Sequence, residues 1–430
     1  MISKLIAPKV LPPQHYICYL GSGGSLSGIP AIFGAYGEDR TGIPFRDLFT
    51  GGIIAPSGAS MVGGGISVSD PKDVSKPLFK MSEVKDRFFH ELPKFLPHSP
   101  EHHQNQVIRH LMKLIANGQP PETKSGLKTY LTKVAVKRFG KGVLDDTYVE
   151  KISHLLTQAA DYQDIPIHYD MRYMENTLKN IFGETTMGDL PNTLIITSHK
   201  IDPGRRESFD FQAFDPRFIL ENSPVYQSTS TAKVPVYQAN MAATAVPTVA
   251  GCYTTSLGTT HIDQAHIDSG ARQVVSLKKS YKHDYDVKFV QFGNVFRNKP
   301  IDPADYNELD CISMLVGREL IDASSIQAQD DARKLIECFL GKENTQFIEM
   351  SDPADIGFNL NFLDTSPEQT DKIISCSEAF LHKNKDMFDS LFDTLGDNFE
   401  RHREANMARH SGFSIVKSVK SVLPKLGMPF

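Results

Sequence analysis

Apolar residues follow distinct rhythms in successive parts of the chain. His15–Leu20, HYICYL, is a near-continuous apolar and aromatic run, which predicts a strand buried on both faces. It passes directly into GSGGSLSG (21–28) and then IPAIFGAYGEDRTG, an order of strand, glycine loop and helix. A second unit, IIA followed by PSGASMVGGGISV, repeats that order. From about Ser69 to Pro166 the spacing predicts polar helices, including VKDRFFHELPKFL and QNQVIRHLMKLIANG. Loop signals interrupt them at PHSPEHHQNQ and NGQPPETKSG. Sheet-like runs return in Asn192–Asp202 (NTLIITSHKID), Lys233–Ala239 (KVPVYQA) and Asp286–Asn294 (DVKFVQFGN). The last third is mostly helical in pattern, through CISMLVGRELIDASSIQAQDDARKLIECFLG and EQTDKIISCSEAFLHKNKDMFDSLFDTL.

Strands that end in glycine turns and lead into helices predict an α/β fold. Such turns gather at the carboxyl ends of strands in a mostly parallel sheet, where ligands bind. The expected layout is an α/β domain over residues 1–300, a helical C-terminal part over 301–400 packed on it, and a tail over 401–430. That tail carries six Lys/Arg against one Glu. GFSIVKSVKSVLPKLGMPF spaces valine, leucine and lysine as a basic amphipathic helix would, up to Pro424, a pattern suited to an anionic lipid surface.

Composition narrows the function classes. The net charge of −5 over 430 residues gives no global basic field and argues against a nucleic-acid partner. Five cysteines are scattered, odd in number and never in a C-x-x-C pair, as expected of free thiols in a reducing compartment. The N-terminus MISKLIAPKVLPPQ has no apolar core of signal-peptide length, and no run approaches the ~20 apolar residues of a membrane span. The expected location is cytoplasmic or peripheral to a membrane, with any export by a route independent of a signal peptide.

Three short stretches carry candidate chemistry. The first is the glycine loop. Backbone N–H groups of Gly23, Gly24, Ser25 and Gly28 can wrap an anion at a helix N-terminus, either a dinucleotide phosphate or the oxyanion of acyl transfer. G-x-G-x-x-G proper is absent, which disfavours the dinucleotide. The second is GASMVGG, where Ser60 sits among small residues at a strand-to-helix bend that would expose its hydroxyl. Ser57, between Pro56 and Gly58, is the competing serine, and Ser60 is preferred. The third is HIDQAHIDSGARQ, where Asp268 precedes Ser269-Gly270-Ala271 in an expected turn and could act as general base. His102 and His103 read as a surface pair rather than metal ligands, and His261 and His266 as loop histidines flanking that turn.

Together these pieces resemble the patatin-like phospholipase family. Its pattern is Asp-Gly-Gly-Gly-x-Arg-Gly, then Gly-x-Ser-x-Gly, then Asp-Gly-Gly or Asp-Gly-Ala. Ser22–Gly28 stands at the first motif, GASMVGG at the second and Asp268–Ala271 at the third. RTGIPFRDLF, KPLFKMSEVKDRFF, LKNIFGETTMGDLPNTLIITSHKID, ATAVPT and FLDTSPEQTDKI are similar to family segments in the same order, so the likeness spans roughly His15 to Leu395. It implies a lipid acyl hydrolase of phospholipase A type with a Ser60–Asp268 dyad, needing no metal or cofactor and acting on a lipid at a membrane surface. The departures fall at the site: Ser25 and Ser27 replace a loop glycine and the arginine, Val62 replaces the second elbow glycine, and the path from Phe49 to Ser60 is longer than the pattern. The alternative is therefore a catalytically degenerate relative that binds a lipid or protein partner. Any activating protein partner is left open.

Overall fold

The structure is a computed structural model. It describes residues 12–21, 24–95, 171–202, 205–220, 231–246, 252–264, 268–293, 319–350 and 367–422, besides isolated positions between them.

β1 (His15–Leu20) is followed by a 3-10 turn (Gly24–Gly28) and α1 (Ile29–Thr41). A short α2 (Phe45–Leu48) then leads into β2 (Gly52–Pro56) and α3 (Ala59–Ser67). A hairpin of β3 (Ser69–Asp70) and β4 (Asp73–Pro77) precedes α4 (Met81–Phe95). After α5 (Arg172–Phe182) come β5 (Leu194–Asp202), β6 (Arg205–Ala213) and α6 (Val236–Ala243). β7 (Tyr253–Thr254), β8 (Thr260–Asp263), α7 (Asp268–Lys278) and β9 (Val287–Phe292) follow. The chain continues through α8 (Glu319–Leu340), β10 (Thr345–Ile348), α9 (Pro367–Lys383) and the long α10 (Lys385–Val422).

The main sheet has the order β10-β9-β1-β2-β5-β8-β7, with β6 also on β5. The run β10-β9-β1-β2-β5 is parallel; β6 and β8 are antiparallel to β5. Every residue of β1 and β2 is buried, as strands covered on both faces require. Side chains alternate between the faces. Cys18, Leu20, Ile53, Ala55, Leu194 and Ile196 join a core with Phe33, Phe88, Phe388 and Phe392. Ile17, Tyr19, Ile54 and Ile195 join a second core with Val274, Leu277 and Ile336. The first face thus packs under α1, α3, α4, α9 and α10, and the second under α7 and α8.

This is the mixed α/β architecture expected, with a mostly parallel sheet, flanking helices and a helical C-terminus. The structure corrects two elements. The start of the stretch expected to be helical from Ser69 is instead the antiparallel hairpin of β3 and β4, and helix begins at Met81. Lys233–Ala239 is not a strand: Thr231–Lys233 forms a 3-10 turn, and α6 starts at Val236 behind Pro235. A short apolar run with a proline in it suits a helix start as well as a strand. From residue 96 onward the helical stretch expected over Ser69–Pro166, including His102 and His103, lies outside the described residues apart from isolated positions.

α1 and α10 cross closely at Gly37, where a Cβ would lie only 2.1 Å from a carbon of the Phe392 ring. Arg40 adds a bidentate pair to Asp393 at 2.7 and 2.6 Å across the same interface. Among the described residues no helix is long and apolar enough to cross a membrane.

Candidate active site

The register of β5 explains how distant parts of the chain meet. β6 pairs with β5 along its whole length and so fills one edge. The other edge is shared end to end. β2 runs parallel to the first half and stops with Pro56 opposite Thr197. β8 runs antiparallel along the second half and stops with Asp263 opposite Ser198. Two chain segments therefore arrive head-on at one point of the sheet, and the residue following Pro56 faces Asp263.

That residue is Ser57. Its Oγ donates to Asp263 Oδ2 at 2.6 Å across 206 residues of sequence, and the bond is buried. Ser57 also carries the only positive φ of a non-glycine among the described residues, at 47°. An L-residue adopts this left-handed conformation only when the surroundings enforce it, at a cost of about 1–3 kcal/mol. Here the chain must leave the fully buried β2 and enter α3 almost at once, and the bend falls on the serine. This is the strand-to-helix elbow that holds a hydroxyl out over a helix N-terminus.

Asp263 is 7% exposed and Ser57 is 8% exposed. Burial pushes the Asp263 carboxyl up to about 7, while the hydrogen bond from Ser57 pulls it down. Its Oδ1 has no hydrogen-bond partner. A carboxyl poised near neutrality beside a serine hydroxyl is matched to general base work.

The glycine turn closes the other side. A Cβ on Gly58 would lie 2.5 Å from Ser27 Oγ and 3.3 Å from the Gly24 carbonyl oxygen. Only glycine lets the turn approach the elbow so closely. Gly24 and Gly28 bound this turn, with Gly28 seated against the Phe89 ring. Gly23 and the side chain of Ser25 lie outside the described residues. At the start of α3 the Ser60 N–H already donates to the Ser57 carbonyl at 3.0 Å and the Met61 N–H to the Gly58 carbonyl at 3.1 Å, so these two amides serve the bend itself.

The other expected site residues are placed differently. Ser60 is in the first turn of α3, 0% exposed, with a hydroxyl that has no hydrogen-bond partner. Asp268 is the first residue of α7, a helix start rather than a free turn, and its side chain lies outside the described residues. The hydrogen-bonded Ser–Asp pair is thus Ser57–Asp263, where Ser60–Asp268 had been expected. His261 is buried on β8 rather than in a loop; its Nδ1 meets Ser198 Oγ at 3.0 Å and its Nε2 meets Thr259 Oγ1 at 2.7 Å. Its ring is also packed against Phe209 and Phe211.

A signal for the pair was in the sequence. Ala55-Pro56-Ser57-Gly58-Ala59 has the Gly-x-Ser-x-Gly spacing with alanine at both glycine positions, and Asp263-Gln264-Ala265 keeps the ends of Asp-Gly-Ala. Requiring glycine at the elbow hid the first, and Asp268 drew attention from the second. Taking Ser57 also shortens the path from Phe49, which had stood out as too long for Ser60.

No family model matches the chain, and no curated protein matches it. Among solved structures, VipD from Legionella pneumophila is similar over 95% of this chain and 77% of that chain, at 14% identity and a TM-score of 0.33. A superposition of that quality carries no argument about fold or chemistry, so the functional reading rests on the geometry of this chain and on its motifs.

Proposed function

We propose that the protein is a serine acyl hydrolase of patatin-like type, with Ser57 as nucleophile and Asp263 as its general base. The observation that carries the proposal is the 2.6 Å bond from Ser57 Oγ to Asp263 Oδ2 at a serine held at φ 47°.

Asp263 in its ionised form takes the Ser57 proton as Oγ attacks an ester carbonyl. The new C–O bond places negative charge on the carbonyl oxygen. Backbone N–H groups of the Gly24–Gly28 turn and of Gly58, the residue after the nucleophile, would hold that charge. Collapse breaks the ester bond, and the leaving alkoxide recovers the proton from Asp263. Water then repeats the sequence on the acyl-serine, releasing a carboxylic acid and restoring Ser57. The family resemblance supplies the substrate class: an acyl ester of a lipid at a membrane surface. The basic segment 401–430 would bring the enzyme there. Liposome flotation with and without residues 408–430 tests this; equal flotation on anionic vesicles removes the tail's part.

Hydrolysis of a soluble acyl ester is the direct test of the chemistry. Ser57→Ala and Asp263→Asn are each expected to lower kcat/KM by about 10³-fold or more, and Ser60→Ala by far less. The reverse order returns the role to Ser60. A folded protein with no hydrolysis of any ester supports the alternative, a lipid- or partner-binding relative, which the near-complete burial of Ser57 and Asp263 favours.

A further inference from the structure

A cavity of about 440 Å³ lies at the other end of the sheet. Phe49 and Thr50, just before β2, and Asn192 and Thr193, just before β5, form part of its wall. From Thr50 to Ser57 the extended chain covers roughly 20 Å, so this space is separate from the Ser57–Asp263 pair. Its volume falls within the ~300–1,000 Å³ range of small-molecule sites.

The walls divide by exposure. Phe49, Phe218 and His402 are buried and belong to the interior. Arg217 and Arg403 also line the space, but their side chains are 60% and 61% exposed, which puts them at the mouth. Met407, 56% exposed, is there too. The buried wall thus combines those three rings with the polar Arg46, Thr50, Asn192, Thr193 and Asp215, and exposed guanidinium groups stand at the entrance.

Existing pairings do not use up the mouth. Asp215 is taken by Arg217 in a two-pronged pair, Nε to Oδ1 at 2.9 Å and a terminal guanidinium nitrogen to Oδ2 at 2.6 Å, with the Arg217 backbone N–H on Oδ1 at 2.8 Å. The Arg217 guanidinium also stands 5.4 Å over the Phe218 ring, which holds it beside the aromatic wall. Arg403 meets Glu400 through one nitrogen at 2.6 Å. A guanidinium has five N–H donors, so each retains some. The third arginine, Arg46, is buried and bonds the carbonyls of Ser67, at the end of α3, and Ser75, so it serves the fold. Asp47, Asp215 and Glu400 balance the three arginines in number, so an anion would be held by the remaining N–H donors of Arg217 and Arg403 rather than by excess charge.

We propose that this cavity binds an anionic amphiphile, its apolar body between Phe49, Phe218 and Phe399 and its carboxylate or phosphate on Arg217 and Arg403. The inference does not depend on the hydrolase reading. A bound ligand would also tie α10, which contributes Phe399 and Arg403, to the segments preceding β2 and β5.

The chain contains no tryptophan, so Met407→Trp places a single fluorescent reporter at the mouth. Decanoate, decyl phosphate and decanol, each below its micelle concentration, are titrated into full-length M407W, with calorimetry on the unsubstituted protein as a check. Decanoate or decyl phosphate is expected to bind one-to-one, at least 10-fold more tightly than decanol. Which of the two binds more tightly identifies the anionic group. Arg403→Gln, an exposed change on a helix, and Arg217→Gln are each expected to weaken binding at least 5-fold. Ser57→Ala is expected to leave the isotherm unchanged. Equal binding of decanol, indifference to R403Q, loss in Ser57→Ala, or no binding of either anion would each overturn the proposal.

Discussion

At the scale of single residues, the Ser57–Asp263 pair is costly to fold. Ser57 at φ 47° and a buried carboxylate are both unfavourable for folding. Ser57→Gly is expected to abolish hydrolysis. Relief of the φ strain is offset by loss of the hydrogen bond to the buried Asp263, so stability should shift by no more than about 1 kcal/mol. Ser57→Gly in the Asp263→Asn background should gain more, both read from urea midpoints. Asp263 follows a definite pH logic. Its folded value of about 7 is above the unfolded one, so its contribution to stability is full at low pH and is lost as pH rises through 7. Asp263→Asn should therefore stabilise the protein at pH 8, by on the order of 1–3 kcal/mol, while removing activity. Activity needs the ionised form, so kcat/KM should rise with pH through about 7. His15 behaves in the opposite sense. It is fully buried against Tyr281, and burial together with the nearby His402 and His283 pushes it down to about 3. The folded state then binds fewer protons than the unfolded one, so its stability contribution is present above 6.5 and is lost as pH falls. The loss approaches about 1.4 kcal/mol per pH unit at most. His15→Phe should flatten the fall in urea midpoint between pH 6.5 and pH 5; an unchanged slope would put the acid sensitivity elsewhere.

At the scale of elements, close contacts decide. Gly37→Ala drives a methyl group into Phe392 where α1 crosses α10, and should cost about 1–3 kcal/mol. Gly42 caps α1 at φ 68° with nothing near its Cβ position, so Gly42→Asn should cost under about 1 kcal/mol. A larger loss at Gly42 than at Gly37 would contradict the packing described. Elements were legible in the sequence where one signal dominated. HYICYL, IIAP and LIITSHKID are apolar enough to be read as buried strands, and the helices α9 and α10 follow their spacing. β6 was not read because RRE opens it, although Ser208–Ala213 alternates cleanly, with Phe209, Phe211 and Ala213 in step. KVPVYQA was read as a strand because four residues of apolar character do not distinguish the two periods.

At the scale of the whole molecule, the C-terminal helices are part of the core. Phe388 lies 4.9 Å from Phe33, and Phe392 stacks on Phe292 of β9 at 6.0 Å. Ending the chain after residue 366 would expose that aromatic cluster. The truncated protein is expected to be insoluble or to lose cooperative unfolding, as read by circular dichroism on heating. A soluble, cooperatively folding 1–366 would show that α9 and α10 are an accessory. The site was legible only in part for a related reason. A glycine loop, a serine bend and a downstream aspartate were all visible; the hydrogen-bonded pair lies three positions before the expected serine and five before the expected aspartate. What selects Ser57 and Asp263 is the end-to-end meeting of β2 and β8 on one edge of β5, a register that no local pattern encodes.

The central claim is that Ser57 is the activated serine. It is tested most directly by treating the full-length protein with a fluorophosphonate and locating the adduct by peptide mass spectrometry. The expected result is a single adduct on Ser57, formed faster as pH rises through 7, absent in Ser57→Ala and retained in Ser60→Ala. An adduct on Ser60, or none on folded protein at any pH, would contradict it.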